Sequence, residues 1–160
     1  MTDFRIGNGY DVHALVKNRK LFLGCVEVPH EMGLLGHSDA DVLCHAIADA
    51  MLGACALGDI GVHFPDSDNA FLDMSGDFIL SQSLKICREN GYEVSNVDSV
   101  IIAQKPKLAS FIPEMRKRIA KALSVSPDRV NVKATTEERL GFTGREEGIA
   151  AHAVCIMIKK

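Results

Sequence analysis

Ile149-Ala150-Ala151-His152-Ala153-Val154-Cys155-Ile156-Met157-Ile158 is the stretch that decides the fold. A strand sends alternate side chains to opposite faces. Ile149, Ala151, Ala153, Cys155 and Met157 share one face, and Val154, Ile156 and Ile158 share the other. A sheet covered by helices on one side leaves its second face to water. Apolar residues on both faces therefore predict a second cover, supplied by a partner chain.

Working outward, Val130 to Thr135 reads as another strand, and the loop from Thr135 to Gly148 is dense in Thr, Gly, Glu and Arg. Ser110 to Leu123 is a helix, with Ile112, Met115, Ile119 and Leu123 on one face. Val97 to Lys105 is an apolar strand that ends at Pro106. Asp73 to Asn90 is a helix stopped by Asn90-Gly91. Nearer the N-terminus, Arg5 to His13 reads as a strand loosened by Gly7 and Gly9. Lys20 to Val28 is β-rich, and the polar run Lys17-Asn18-Arg19-Lys20 joins the two as a hairpin. After a loop from Glu31 to Gly36, Ser38 starts a helix, with Asp41 three residues on resembling a capping box. Its apolar face is Val42, Leu43, Ala46, Ile47, Ala50 and Met51, and it runs out near Gly58. The order β-β-α-α-β-α-β-β does not strictly alternate. It predicts an α+β fold, a two-layer α/β sandwich with a mixed four-stranded sheet plus an N-terminal β-hairpin.

At 160 residues the chain is expected to be a single domain, residues 1–160, with a real core. An apolar fraction of 47% and a charged fraction of 24% are those of a globular protein. A net charge of −3 argues against nucleic acid as a partner. No apolar run approaches the roughly 20 residues that span a bilayer, and no signal or transit pattern opens the chain. The five cysteines lack CxxC spacing and lie mostly in apolar stretches, so they read as buried free thiols.

Chemistry concentrates in Asp11-Val12-His13 and in the run from His37 to His45. Asp11 and His13 project from the same face of a strand. Ser38, Asp41, His45 and Asp49 recur three and four apart, which makes one polar stripe on the helix. A carboxylate and two imidazoles suit zinc and leave a fourth position for substrate or water. Asp41 or Asp49, one turn to either side, could take the second N–H of the His45 ring. A set of hydrogen-bonded core side chains is the equal alternative on spacing alone. Lys133-Ala134-Thr135-Thr136-Glu137-Glu138 follows a strand and suits phosphate oxygens, with Glu138 a candidate for a hard divalent cation. A capped turn is its alternative. In Gly141 to Gly148, Arg145 either binds an anion or pairs with Glu147. Asp59, Asp66 and Asp68 suit sugar-like hydroxyls or serve as loop caps. His63 and His152 have no partner visible in sequence, and His30 is expected at the surface.

Five segments go beyond this generic reading: GYDVHA (9–14), LLGHSDADVLCHAIADAMLGA (34–54), ALGDIGVHFPDSD (56–68), NVDSVIIAQKPKL (96–108) and NVKATTEERLGFTGREEGIAAHAV (131–154). Together, and in this order, they resemble the 2-C-methyl-D-erythritol 2,4-cyclodiphosphate synthase family over nearly the whole chain, Arg5 to Lys159. The resemblance implies a homotrimer whose sheets pack around the threefold axis, with active sites between subunits. It implies a cytidine diphosphate substrate, 4-diphosphocytidyl-2-C-methyl-D-erythritol 2-phosphate. The 2-phosphate attacks the β-phosphate, CMP leaves, and a cyclic diphosphate forms in the non-mevalonate route to isoprenoids. Zn2+ would lie on Asp11, His13 and His45, and Mg2+ or Mn2+ on Glu138. His37 and Thr136 would stabilise the transition state, with Ser38 and Thr135 also at phosphate. Asp59, Gly61, Phe64 and Asp68 would surround the methylerythritol moiety. Ala103, Gln104, Lys105, Pro106, Lys107, Leu108 and Ala109 would line the cytosine pocket. Phe142 and Arg145 would lie near the nucleotide and the trimer axis, where the axial channel is a candidate site for an isoprenoid diphosphate. A cytoplasmic location in a bacterium follows, or a plastid-type compartment if a transit peptide has been removed.

Glu137 departs from the family pattern, which has a neutral Thr or Asn after the threonine pair, and Tyr10 stands where Phe is also familiar. An acidic chain can bind a polyanion because metal ions supply the positive charge. The alternative enzyme is a zinc-dependent phosphohydrolase that uses Asp49 or Asp59 as base toward water. The non-enzymatic alternative is a trimeric regulator that binds a nucleotide or an isoprenoid diphosphate.

Overall fold

A computed structural model describes residues 3–65 and 74–160. β1 (Phe4–Lys17), β2 (Leu21–Leu23), β3 (Val26–Val28) and β4 (Met32–Leu34) come first, followed by α1 (Val42–Ala54), the single turn α2 (Ile60–His63) and α3 (Gly76–Glu89). β5 (Tyr92–Ile102), α4 (Ile112–Ala122), β6 (Val130–Thr135), the turn α5 (Gly141–Gly144) and β7 (Gly148–Lys159) complete the chain. The fold is α+β. A mixed five-stranded sheet has the order β4-β1-β7-β5-β6, antiparallel except for the β5–β6 pair, and β2 and β3 form a small antiparallel sheet.

The main sheet therefore has one strand more than expected, and the N-terminal hairpin is a different one. β1 continues to Lys17 and pairs with β7 and with β4, not with the β-rich stretch that follows it. That stretch folds back on itself at Gly24-Cys25, between the paired residues Leu23 and Val26. Both turn residues have positive φ, +59° and +63°, as a two-residue hairpin turn of the right twist requires. Asp41 holds the turn, because its carboxylate accepts the N–H groups of Gly24 and Cys25. The same carboxylate accepts the Cys44 N–H and so caps α1. The helix thus starts at Val42, three residues later than a Ser38 cap implies, and ends at Ala54.

α1 is buried almost all round, which fits a central helix. It crosses β1 and β7 at close range because β1 carries glycines there. A Cβ on Gly7 would lie 1.9 Å from the Ala50 carbonyl oxygen, and one on Gly9 equally close to that of Ala46. These glycines do not loosen the strand; they let the helix dock. Ala153 and Cys155 of β7 are buried on this helix-facing side. The opposite side of the sheet is apolar and open in the single chain. Phe4, Ile6, Tyr10, Val12 and Val154 are exposed there, and Phe4 and Ile6 keep over 60% of their surface. Ile156 and Ile158 are half-buried beside them.

Candidate metal and phosphate site

Asp11 and His13 lie on the helix-facing side of β1, and His45 meets them from the first turns of α1. One oxygen of Asp11 is 2.9 Å from His13 Nε2 and 3.0 Å from His45 Nδ1, and the two ring nitrogens are 3.2 Å apart. A tetrahedral zinc ion about 2.0–2.1 Å from each donor has donor–donor edges of about 3.3 Å. The observed triangle is only slightly tighter. The far side of each ring supports the same reading. His13 Nδ1 donates to the Leu35 carbonyl at 2.7 Å, which leaves a lone pair on Nε2. His45 Nε2 lies 3.2 Å from the Ser38 hydroxyl, which leaves Nδ1 directed at the triad. Burial works against the Asp11 carboxylate, but hydrogen bonds and charge from His13 and His45 outweigh it and hold its pKa down to about 2. The donor set therefore fits a zinc-like ion.

The partner expected for His45 was a helix acid, and the structure assigns those acids elsewhere. Asp41 is saturated by backbone N–H groups and by the Cys44 thiol. Asp49 accepts the Ile60 N–H at the start of α2, and burial raises its pKa. Asp59 caps the same turn through the Val62 N–H. Sequence reasoning also missed Arg19, whose guanidinium donates to the carbonyls of Gly36 and Ser38. This clamps the segment that presents His37. Asp39 ties that segment to α3 through the Gly76 N–H. Arg19 stands in no chemical motif, and Asp39, although inside the run from His37 to His45, falls off the three- and four-residue spacing of the polar stripe.

The triad opens into a cavity of about 420 Å³, lined also by His37, Ser38, Ile60, Gly61, Phe64, Pro65, Met74 and Ile79. Asp59 stands at the start of α2, outside this lining, and Asp68 lies outside the described residues.

A second cavity, about 310 Å³, forms between the segment after β5 and the end of β6. Ala103, Gln104, Pro106, Lys107, Leu108, Ala109, Thr135 and Thr136 line it, with Ile112 and Ala134. Lys105 instead pairs with Glu146 at 3.1 Å. The Thr136 hydroxyl donates to Glu138, and the Arg139 N–H donates to Gln104. Glu138 and Arg139 both have positive φ. Glu137 is exposed but stands outside the lining of this cavity, and its carboxylate accepts the buried Thr143 hydroxyl. Arg145 is paired with Glu147 at 2.9 Å, and Phe142 packs near Gly148. Lys133 pairs with Asp98. His63 binds the Leu57 carbonyl, and the His152 ring packs against Tyr10 at a tilt of 55°. His30 is half-buried, with its Nε2 enclosed, rather than at the surface.

The two cavities sit at one end of the sheet but three strands apart. Asp11 pairs with Ala151, Ala151 with Ile101, and Ile101 with Ala134. Three strand spacings amount to about 14 Å.

Comparison with known proteins identifies the lineage. The YgbB family model matches residues 4–158. A 2-C-methyl-D-erythritol 2,4-cyclodiphosphate synthase of Clostridium botulinum (strain Alaska E43 / Type E3) is 61% identical over 156 residues, 98% of this chain and 99% of that protein. One of Bacillus cereus (strain ATCC 10987 / NRS 248) is 59% identical over 157 residues, with the same coverage of both chains. Among solved structures, the bifunctional IspDF of Campylobacter jejuni matches with a TM-score of 0.96 and 43% identity over all of this chain, which spans 43% of that one. The Plasmodium falciparum IspF CDP complex matches with a TM-score of 0.85 and 31% identity, over 100% of this chain and 99% of that one. With an Asp–His–His triad that could hold a metal ion at one end of its sheet and relatives this similar along its whole length, the chain belongs to the YgbB family, as a 2-C-methyl-D-erythritol 2,4-cyclodiphosphate synthase.

Proposed function

We propose that the two cavities are halves of one active site, completed when subunits meet. The observation that carries the reading is the Asp11–His13–His45 triangle, with each ring fixed by a partner on its far side. The substrate is 4-diphosphocytidyl-2-C-methyl-D-erythritol 2-phosphate, which closes on itself to the 2,4-cyclodiphosphate and releases CMP. It carries its own nucleophile, so the protein needs no serine or cysteine. Its work is to fold the chain back and hold crowded anions in line.

Asp11, His13 and His45 hold Zn2+, and Glu138 holds Mg2+ or Mn2+. When bound, these ions neutralise phosphate charge and polarise the attacked phosphorus. His37, exposed at the mouth of the first cavity, reaches the phosphates, and Ser38 steadies the His45 ring behind it. Gly61 and Phe64 pack the methylerythritol carbons, with Asp59 and Asp68 for its hydroxyls. The Ala103–Ala109 segment takes the cytosine mainly through backbone groups, and Thr135 and Thr136 take the diphosphate. Phe142 and Arg145 stand toward the nucleotide and the threefold axis.

A trimer is supported by the open apolar face bearing Phe4, Ile6, Val154 and Ile156. The 14 Å between half-sites on one chain is long for a single diphosphate, so an adjacent subunit supplies the second half. The bacterial relatives support a cytoplasmic enzyme. A phosphohydrolase is less well supported, because both candidate bases, Asp49 and Asp59, are spent as caps of α2. Product analysis tests the choice. CMP with a cyclic diphosphate supports the cyclase, and CMP with an open-chain phosphate overturns it.

A further inference from the structure

Outside the active site, two thiols face one another across the join between the β2–β3 turn and α1. Cys25 Sγ and Cys44 Sγ are 3.4 Å apart. Cys25 is half-buried at the edge of a groove of about 720 Å³, beside Lys117, Arg118 and Lys121 of α4. Cys44 is fully buried on α1. Asp41 organises the pair, since it accepts the backbone N–H of Cys25 and the S–H of Cys44. In all, the carboxylate accepts four hydrogen bonds, from the N–H groups of Gly24, Cys25 and Cys44 and from the Cys44 thiol.

We infer that Cys25 and Cys44 form a thiol–disulfide exchange site that takes a small, low-molecular-weight disulfide of the glutathione type. The sulfurs must approach by about 1.4 Å to reach bonding distance. A two-residue turn beside an open groove can move that far, whereas the buried helix cannot. Cys25, reachable from the groove, attacks the small disulfide, forming a mixed disulfide and releasing one thiol. Cys44 then gives up its proton and attacks the Cys25 sulfur. The second small thiol leaves with that proton. In sum, one small disulfide is reduced to two thiols, and two protein thiols are oxidised to one disulfide. The new bond closes a ring over residues 25–44, which contains His37 and Ser38.

Incubation of the full-length chain with glutathione disulfide, followed by alkylation in denaturant and peptide mass mapping, tests this. Two of the five thiols per chain should disappear, a peptide joining Cys25 to Cys44 should form, and dithiothreitol should reverse it. Cys25→Asn, which tolerates the positive φ of the turn, should keep all its remaining thiols. Cys44→Ala should trap a stable glutathione adduct on Cys25. Retention of all five thiols in the parent overturns the proposal. So does a stable adduct on Cys25 with Cys44 still free, a bond between other cysteines, or thiol loss in Cys25→Asn; that last variant decides even where Cys44→Ala does not fold.

Discussion

The two ends of the candidate site are built on opposite principles. The Asp11–His13–His45 end is enclosed, made of side chains on a strand and a buried helix, and each ring is fixed from behind. The Thr135–Glu138 end is exposed, made largely of backbone and short polar side chains just past a strand. A metal centre needs rigid donors within tenths of an ångström, and packed elements supply that. A nucleotide pocket needs N–H and C=O groups that face solvent until the ligand or a neighbouring subunit covers them, and loops supply that. The rigid half is therefore built within one chain, while the binding surface of the other half stays exposed there.

The largest effect should come at the enclosed end. His45→Ala should abolish stoichiometric zinc and lower turnover by about 10³-fold or more, since the lost ion supplies several kcal/mol of charge stabilisation. Metal analysis on a variant with unchanged circular dichroism checks it, and full zinc in that variant would remove the triad from consideration. Assembly comes next. Ile156→Asp places one carboxylate per chain on the apolar face, hence three around a common axis. Light scattering should report three chain masses for the parent and one for the variant, with activity lost although the triad is untouched. A parent that is monomeric and active would break the division of labour between the two ends.

The enclosed end was also the more legible in sequence. Its candidate ligands follow local periodicities: Asp11 and His13 keep the two-residue spacing of a strand, and His45 lies on the helix, although Ser38 and Asp41 of the expected stripe precede it. Its supports do not. The Leu35 carbonyl, the Arg19 clamp and the Ser38–His45 contact depend on how a loop travels between elements, which no short pattern encodes. The same limit misplaced the hairpin. Gly24-Cys25 lacks the Asn-Gly or Asp-Gly signature of a tight turn, and what stabilises it is Asp41, sixteen and seventeen residues away. Gly7 and Gly9 showed their composition but not their reason, which is the carbonyls of a helix not yet placed. Glu137 stands out in sequence only as a departure from the family pattern, and its hydrogen bond with Thr143, six residues on, is set by the turn between them.

At the open end, effects should fall on catalysis and leave stability alone. Thr136→Ala should lower kcat by about 10²-fold, the scale for loss of one transition-state donor. Its Tm should stay close to the parent's, because among the described residues the hydroxyl hydrogen-bonds only with Glu138, in an exposed position. Glu138→Gln should weaken the dependence on Mg2+ or Mn2+ and keep zinc bound. Near-normal kinetics in both variants would reduce the segment to an ordinary turn.

The smallest effect separates the ends by pH. Asp39 accepts the N–H groups of Gly76 and Asp41 and so closes the wall of the enclosed half, with no counterpart in the open half. Burial, and then the charge of Asp41, raise its pKa from 3.8 to about 6. A raised carboxyl pKa means that the folded chain holds the proton more tightly than the unfolded one. Ionised Asp39 therefore costs stability above pH 6; the cost shrinks as pH falls through 6 and is gone below 3.8. The full displacement corresponds to up to about 3 kcal/mol. Asp39→Asn removes the charge and gives up one of the two accepted bonds, a pH-independent loss of about 1 kcal/mol. Urea midpoints of both proteins, measured with a chelator from pH 7.5 down to 4.5, should converge. The variant should be the more stable at pH 7.5, and the two should be about equal near pH 4.5, where the remaining cost of ionising Asp39 matches the lost bond. Parallel curves would mean that Asp39 titrates like an exposed carboxyl, and that the wall it forms is held by the Met74 and Gly76 backbone alone.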